Sequence, residues 1–218
     1  MLNEKNKHHT KTSQFHHNFN CLSGFYLRLH CCSVRIGRIR NVTKKYKKTV
    51  TNTLSGVGTY LEITSGTGLD FEYDAYAKTT MACLKYGQSR IDGKTEKSVK
   101  KAVVPVLKRY FGTSTFKVRK YRQSEAHRIA SSYICKKGGR LMYLRGDWGL
   151  LYPSGRVTKI IQTGSGKFVA TFTVNWYDRS YLNRPAEKKN CISIYKIYLQ
   201  KKGKHFTITN IKRTYQGY

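Results

Sequence analysis

Acidic residues are scarce in this 218-residue chain: 11 Asp and Glu stand against 42 Lys and Arg, a formal charge of +31. Charge of that size says little about fold, but it makes polyanions the expected partners. No run of 18 apolar residues occurs, so no membrane-spanning helix is readable in this frame. Proline is rare, at three residues, and tryptophan is limited to two. Cys21, Cys31, Cys32, Cys83, Cys135 and Cys191 include no C-x-x-C pair, which argues against a zinc site, whose four donors must converge from short spacings. Cys83, Cys135 and Cys191 read as single buried thiols. Also missing are G-x-S-x-G, H-E-x-x-H, a P-loop and paired carboxylates, so neither catalytic residues nor a cofactor is expected.

What is present argues for a folded core. Hydrophobic residues make up 39% of the chain and 17 residues are tyrosine, too much apolar material for wholesale disorder. The positive charge is unevenly spread. Residues 1–50 carry eleven basic and one acidic residue, a net +10; residues 51–92 carry three and five, a net −2; residues 93–218 carry twenty-eight and five, a net +23.

Residues 1–50 show no sustained periodicity and read as an irregular basic tail, disordered or non-native. Residues 51–69 are rich in Thr, Gly and Ser and read as a linker with a short strand at Tyr60 to Thr64. A helix is expected from Asp70, with acidic residues at its start and Lys85 before Gly87 at its end. A second runs from the Thr95 cap to Gly112, with Val99, Val103, Val106, Leu107, Tyr110 and Phe111 at the spacing of a buried stripe and a kink at Pro105. "TFKVRKY" (115–121) alternates as a strand, and "SEAHRIASSYICKKGG" reads as a further helix stopped by Gly138-Gly139.

Beyond residue 140 the period becomes two. "RLMYL", "WGLLY", "RVTKIIQT", "KFVATFTVNWYD", "NCISIYKIYLQ" and "HFTITNIKRTY" are parted by turn signals, including Pro153-Ser154-Gly155 and Gly164-Ser165-Gly166. Short turns between successive strands require antiparallel pairing. The expected fold is therefore α+β, a single domain over 70–215 in which two or three N-terminal helices pack on a curved antiparallel sheet of about six strands.

With "VVPVLKRYFGTSTFKV", "YPSGRVTKIIQTGSGKFVATFTVNWYD" and "YKIYLQKKGKHFTITNIKR", this order of elements resembles the cystatin-like or NTF2-like domains of exported lipoproteins and surface proteins of low-GC Gram-positive bacteria. The resemblance implies a fold and an extracytoplasmic, cell-envelope setting rather than an activity.

Candidate sites follow from charge and shape. Lys97, Lys100, Lys101, Lys108 and Arg109 lie off the apolar stripe of the second helix and are the expected polyanion-binding residues. Trp148, Trp176 and His127 are candidates to line a cavity under the sheet, although core packing explains either tryptophan alone. His127 and His205 stand without a catalytic motif around them. Arg145-Gly146-Asp147 spells an adhesion tripeptide, yet a turn alone explains Gly-Asp there. The expected role is a non-enzymatic basic domain that binds an anionic cell-wall polymer or membrane surface. Nucleic acid is the alternative partner, since "KVRKYRQ" and "NIKRTYQGY" interleave cations with aromatics. A cavity enzyme or small-ligand binder comes third.

One stretch fits none of this. "HHNFNCLSGFYLRLHCCSVRIGRIR" (16–40) holds three cysteines and three of the seven histidines. Displacing the reading frame by one base turns His, Asn and Tyr codons into Ile, Met or Thr, and Cys codons into Val or Ala. The stretch therefore reads either as an out-of-frame signal region, apolar in the shifted frame, or as a basic tail.

Overall fold

The computed structural model describes residues 39–65, 71–121, 134–143, 151–178 and 187–217. The chain segment that the sequence marks as tail and linker supplies part of the core. Arg40–Asn41 (β1) leads into Thr43–Thr53 (α1), and Val57–Ser65 (α2) follows after one turn. The Asn41 Oδ1 accepts the Thr43 N–H at 3.1 Å and the Thr43 hydroxyl at 2.8 Å, starting α1 where no side chain of its own N-cap does so. On α1, Tyr46, Val50 and Thr53 recur at helical spacing and turn inward, while Lys44, Lys45, Lys47 and Lys48 face out. α2 is apolar around most of its circumference and is correspondingly buried: Val57, Tyr60, Leu61, Ile63, Thr64 and Ser65 are all enclosed. The strand expected at Tyr60 to Thr64 is thus helix. Its Thr64 and Ser65 hydroxyls donate back to the Tyr60 and Leu61 carbonyls, which lets polar side chains sit in the core.

The two helices expected further on form, with shorter bounds. Ala75–Tyr86 (α3) is capped by the Asp74 carboxylate, which accepts the Ala77 N–H at 2.7 Å. Glu96–Phe111 (α4) starts under the Thr95 hydroxyl and stops at left-handed Gly112, with Pro105 inside it. Val99, Val103, Leu107 and Phe111 form its buried edge. Lys85, at the end of α3, ties the helices together: its Nζ donates to the Asn52 and Thr53 carbonyls at 2.8 and 3.1 Å and sits 4.2 Å from the Tyr110 ring centroid. An ammonium is thereby placed at the negative end of α1, where a helix favours cations.

Arg119–Lys120 (β2), Ile134–Lys137 (β3) and Arg140–Tyr143 (β4) make a small sheet in which β2 runs parallel to β3. Gly138 and Gly139, at φ 56° and 75°, form the two-residue hairpin turn between β3 and β4 instead of ending a helix. Residues 134–137 are therefore strand, while the rest of that expected helix lies outside the described residues.

The main sheet contains Leu151–Gly164 (β5), Lys167–Asp178 (β6), Glu187–Lys202 (β7) and His205–Gln216 (β8) in the order β1-β5-β6-β7-β8, all antiparallel. Two expected strands merge into β5, which passes straight through Pro153-Ser154-Gly155. The reason lies in the edge. β1 pairs only with Ile161 and Gln162, so the stretch before them has no strand neighbour on that side among the described residues. The Gly155 N–H points to that edge, and Pro153, two residues earlier, lacks its N–H on the same side, where no ladder bond is lost.

Phe168, Ala170, Phe172 and Val174 of β6 and Tyr195, Ile197 and Leu199 of β7 face the helices and are buried. α1 packs against both β5 and β8, although β6 and β7 lie between them. Three strand intervals span about 14 Å in a flat sheet, more than one helix covers, so the sheet must curl around α1. Tyr46 fills the curl, with edge-on contacts to Phe168 at 5.1 Å and Phe206 at 5.7 Å.

α2 closes the β5 edge. The Gly155 N–H donates to the Glu62 carboxylate at 2.6 Å, and burial raises the Glu62 carboxyl above the usual carboxylate range even though that bond favours the ionised form. A raised carboxyl binds its proton more tightly in the fold, so stability is lost as pH climbs from the ordinary carboxylate range through the Glu62 pKa. Glu62→Gln keeps an acceptor for Gly155 without this penalty. It is expected to melt with the wild type at pH 4 and above it at pH 7, whereas Glu62→Ala costs about 1 kcal/mol at pH 4 and correspondingly less at pH 7. A Glu62→Gln protein that melts below the wild type at pH 7 contradicts this account.

Candidate polyanion-binding surface

Lys97, Lys100, Lys101, Lys108 and Arg109 are all exposed on α4, as the sequence predicts. At 1.5 Å per residue, Lys97 and Lys108 lie about 16 Å apart along one outer stripe, so the helix offers a line of charge rather than a focus. Glu96 faces Lys136 at 2.6 Å and is the carboxylate at the start of that line.

A denser concentration forms where α1 meets the β7–β8 turn, and the sequence reading missed it. The Lys45 and Lys201 ammonium groups lie 5.4 and 5.5 Å from the same Tyr46 ring centroid, one from α1 and one from the end of β7. Lys202 and Lys204 follow Lys201 in the turn, exposed, and the Lys201 N–H bonds the Gly166 carbonyl at 2.7 Å, which brings exposed Lys167 alongside. Next to this, the Thr207 hydroxyl donates to the Arg109 carbonyl at 3.2 Å, so β8 carries the C-terminal end of α4 to the same end of the molecule. Lys45 and Lys201 thus meet at Tyr46 with Lys167, Lys202 and Lys204 beside them, while Lys47 lines a cleft with Glu62 and the Arg109 guanidinium lies 5.3 Å from the Tyr110 ring centroid. Glu62, Glu72, Asp74, Asp92 and Glu96 belong to other segments, and neither α1 nor the β7–β8 turn contains a carboxylate. The missed signal was legible: "VTKKYKKTVTNTL" places Tyr46, Val50 and Leu54 four residues apart between lysines.

A cleft of about 440 Å³ adjoins the end of α1, lined by Asn52, Ser55, Lys85, Tyr86, Arg90, Val106 and Tyr110. Burial, and then the Arg109 charge, lower Lys85 to about 8, so its charge adds to the cleft at neutral pH and leaves as pH passes that value. A second cleft, of about 570 Å³, runs between the α1–α2 turn and the β5 edge and includes Lys47, Glu62, Arg156 and Phe172.

Of the expected cavity residues, Trp176 alone is among the described residues. Trp176, on β6 opposite Pro153, is half-buried against the core and lines neither cleft. Trp148 and His127 lie outside the described residues, as do Arg145-Gly146-Asp147 and residues 16–38 of the opening stretch. His205 starts β8, half-buried. Cys83 and Cys135 are buried thiols, and burial pushes Cys83 up to about 12, far from nucleophilic use at neutral pH.

Several tyrosines that could stack on a ligand already carry a cation of the chain. Tyr73 lies under Lys78, Tyr76 under Arg119, Tyr86 under Arg90, Tyr110 under Lys85, and Tyr121 under Lys137. Comparisons with family models, with curated proteins and with solved structures return no match. The described residues form an α+β domain in which lysines of α1 and of the β7–β8 turn meet at Tyr46.

Proposed function

We propose that this domain is a non-enzymatic polyanion-binding module whose ligand is a phosphate-bearing polymer or surface. The observation that carries the reading is the meeting of α1 and the β7–β8 turn at Tyr46, two segments whose own sequences hold lysines and no carboxylate, with the end of α4 tied to β8 through Thr207. Lysines set on packed elements keep their spacing without a ligand, so ordering costs on binding fall mainly on side chains. The cystatin-like or NTF2-like arrangement belongs to the same proposal, supported by helices that precede a curled antiparallel meander. In the cell-envelope setting expected from the sequence, the ligand is an anionic cell-wall polymer or membrane surface.

Salt dependence tests this directly. Binding to polyphosphate, to vesicles of phosphatidylglycerol and phosphatidylcholine, and to oligothymidine is measured between about 50 and 300 mM salt, where neutralised phosphates set the slope of log affinity against log salt. At least one ligand is expected to give a slope of about −3 or steeper. Affinity that ignores salt for all three, or no binding to any, discards the reading.

A further inference from the structure

The outer face of the main sheet, turned away from the helices, carries a second pattern. Register aligns Lys159 with Thr171, Thr171 with Lys196, and Lys196 with Lys212, so one row crosses β5, β6, β7 and β8. Its ends are about 14 Å apart. Lys159 and Lys212 are exposed, and Lys196 reaches across to the Thr171 hydroxyl at 2.9 Å. On one side runs Ile161–Val169–Tyr198–Asn210, and on the other Arg156–Thr173–Ile194–Tyr215. These twelve positions hold four cations and no carboxylate.

Two features set this face apart. Lys196 and Lys212 stand directly opposite one another, a like-charge pairing that destabilises a sheet, and departures from a local rule of this kind concentrate at functional sites. Tyr198 and Tyr215 flank the row, Tyr215 being 48% exposed, and unlike the tyrosines on the helical side neither ring carries a cation or a second ring among the described residues. Lys196 and Lys212 lie between the two rings, and Thr171, Thr173 and Asn210 share the face with Ile161, Val169 and Ile194.

We propose that this face binds single-stranded nucleic acid, with the phosphates on Lys159, Lys196 and Lys212 and bases stacked on Tyr198 and Tyr215. The proposal rests on the polyanion reading but sets nucleic acid in place of an envelope ligand at this face: cations alone take any phosphodiester chain, whereas open aromatic rings beside them select one that bears bases. A row of this length accommodates about two nucleotides.

The test compares oligothymidine with an abasic oligodeoxynucleotide of equal length, on wild-type protein and on Tyr198→Leu, Tyr215→Leu and Lys196→Gln/Lys212→Gln variants whose folding is verified by melting. Oligothymidine is expected to bind the wild type more tightly than the abasic strand. Each tyrosine substitution is expected to weaken oligothymidine by about five- to 150-fold and leave the abasic strand unchanged. The lysine pair is expected to weaken both and to reduce the salt slope by about 0.7 per lysine. Equal affinity for the two strands, with neutral tyrosine variants, overturns the nucleic-acid assignment while the polyanion reading stands. Failure to bind either strand, with polyphosphate and anionic vesicles still bound, also overturns it in favour of an envelope ligand. Failure to bind any of these ligands removes both.

Discussion

Gly56→Ala is expected to lower the melting temperature by about 10 °C, the largest effect of any single methyl addition considered for this protein. Gly56 holds φ at 77° in the turn between α1 and α2, and a Cβ there would stand 2.4 Å from the Lys85 backbone nitrogen and 2.7 Å from the Leu84 carbonyl carbon. Left-handed backbone costs a side chain about 1–3 kcal/mol, and an overlap with main chain cannot be relieved by a rotamer change, so the helices must separate at a further cost of about 1–3 kcal/mol. Gly93 provides the control. It has a similar φ of 69°, yet nothing lies within 4 Å of its would-be Cβ. Gly93→Ala should therefore show the backbone strain alone, a loss of a few degrees. If thermal melts place the two variants together, α2 and α3 do not approach as closely as described.

The second large effect concerns binding. Replacing Lys44, Lys45, Lys47 and Lys48 together by glutamine leaves helix propensity nearly unchanged and removes no buried contact, because all four side chains are exposed. If each lysine neutralises one phosphate, affinity for a flexible polyanion at about 150 mM salt should fall roughly 10²- to 10³-fold, and the salt slope should flatten by about 3. A variant on α4, Lys97→Gln with Lys100→Gln and Lys101→Gln, removes three lysines from a stripe that leads away from Tyr46 and should lose less per lysine. Titration of both variants against polyphosphate decides the ranking. Should the α4 variant lose more per lysine than the α1 variant, the centre of the surface lies on α4, and the grouping around Tyr46 is incidental.

Legibility followed the strength of each local signal. α4 was readable because its cap, apolar stripe and terminal glycine agree, and the antiparallel meander because alternation and glycine turns agree. α1 was passed over although Tyr46, Val50 and Leu54 mark one helical face, and α2 was hidden because "TNTLSGVGTYLEITSG" reads as a linker by composition. Burial decides there: α2 is helical because the sheet and α3 enclose it, and Gly56 and Gly58 are small because Lys85 and Phe172 press close, not because the chain needs slack. β5 was misdivided for a related reason. Pro153 and Gly155 break strands in general, but at an open edge one omits an N–H that has no strand partner and the other makes room for the Phe172 ring, 2.3 Å from where its Cβ would be. The α4 lysines were found from a helical wheel. The Tyr46 cluster and the lysine row on the sheet needed register, which brings together residues that the sequence keeps far apart.

The contact between α1 and the sheet also implies an order of assembly. The Ile160 N–H bonds the Thr43 hydroxyl across 117 residues of chain, whereas the β7–β8 hairpin closes over a turn of only two residues. Long closures are disfavoured until the surface that receives them exists, so the hairpins of the meander form early and α1 docks late. The lysines of α1 join those of the β7–β8 turn only at that last step, and the concentrated charge around Tyr46 is a property of the finished molecule and of no intermediate before it.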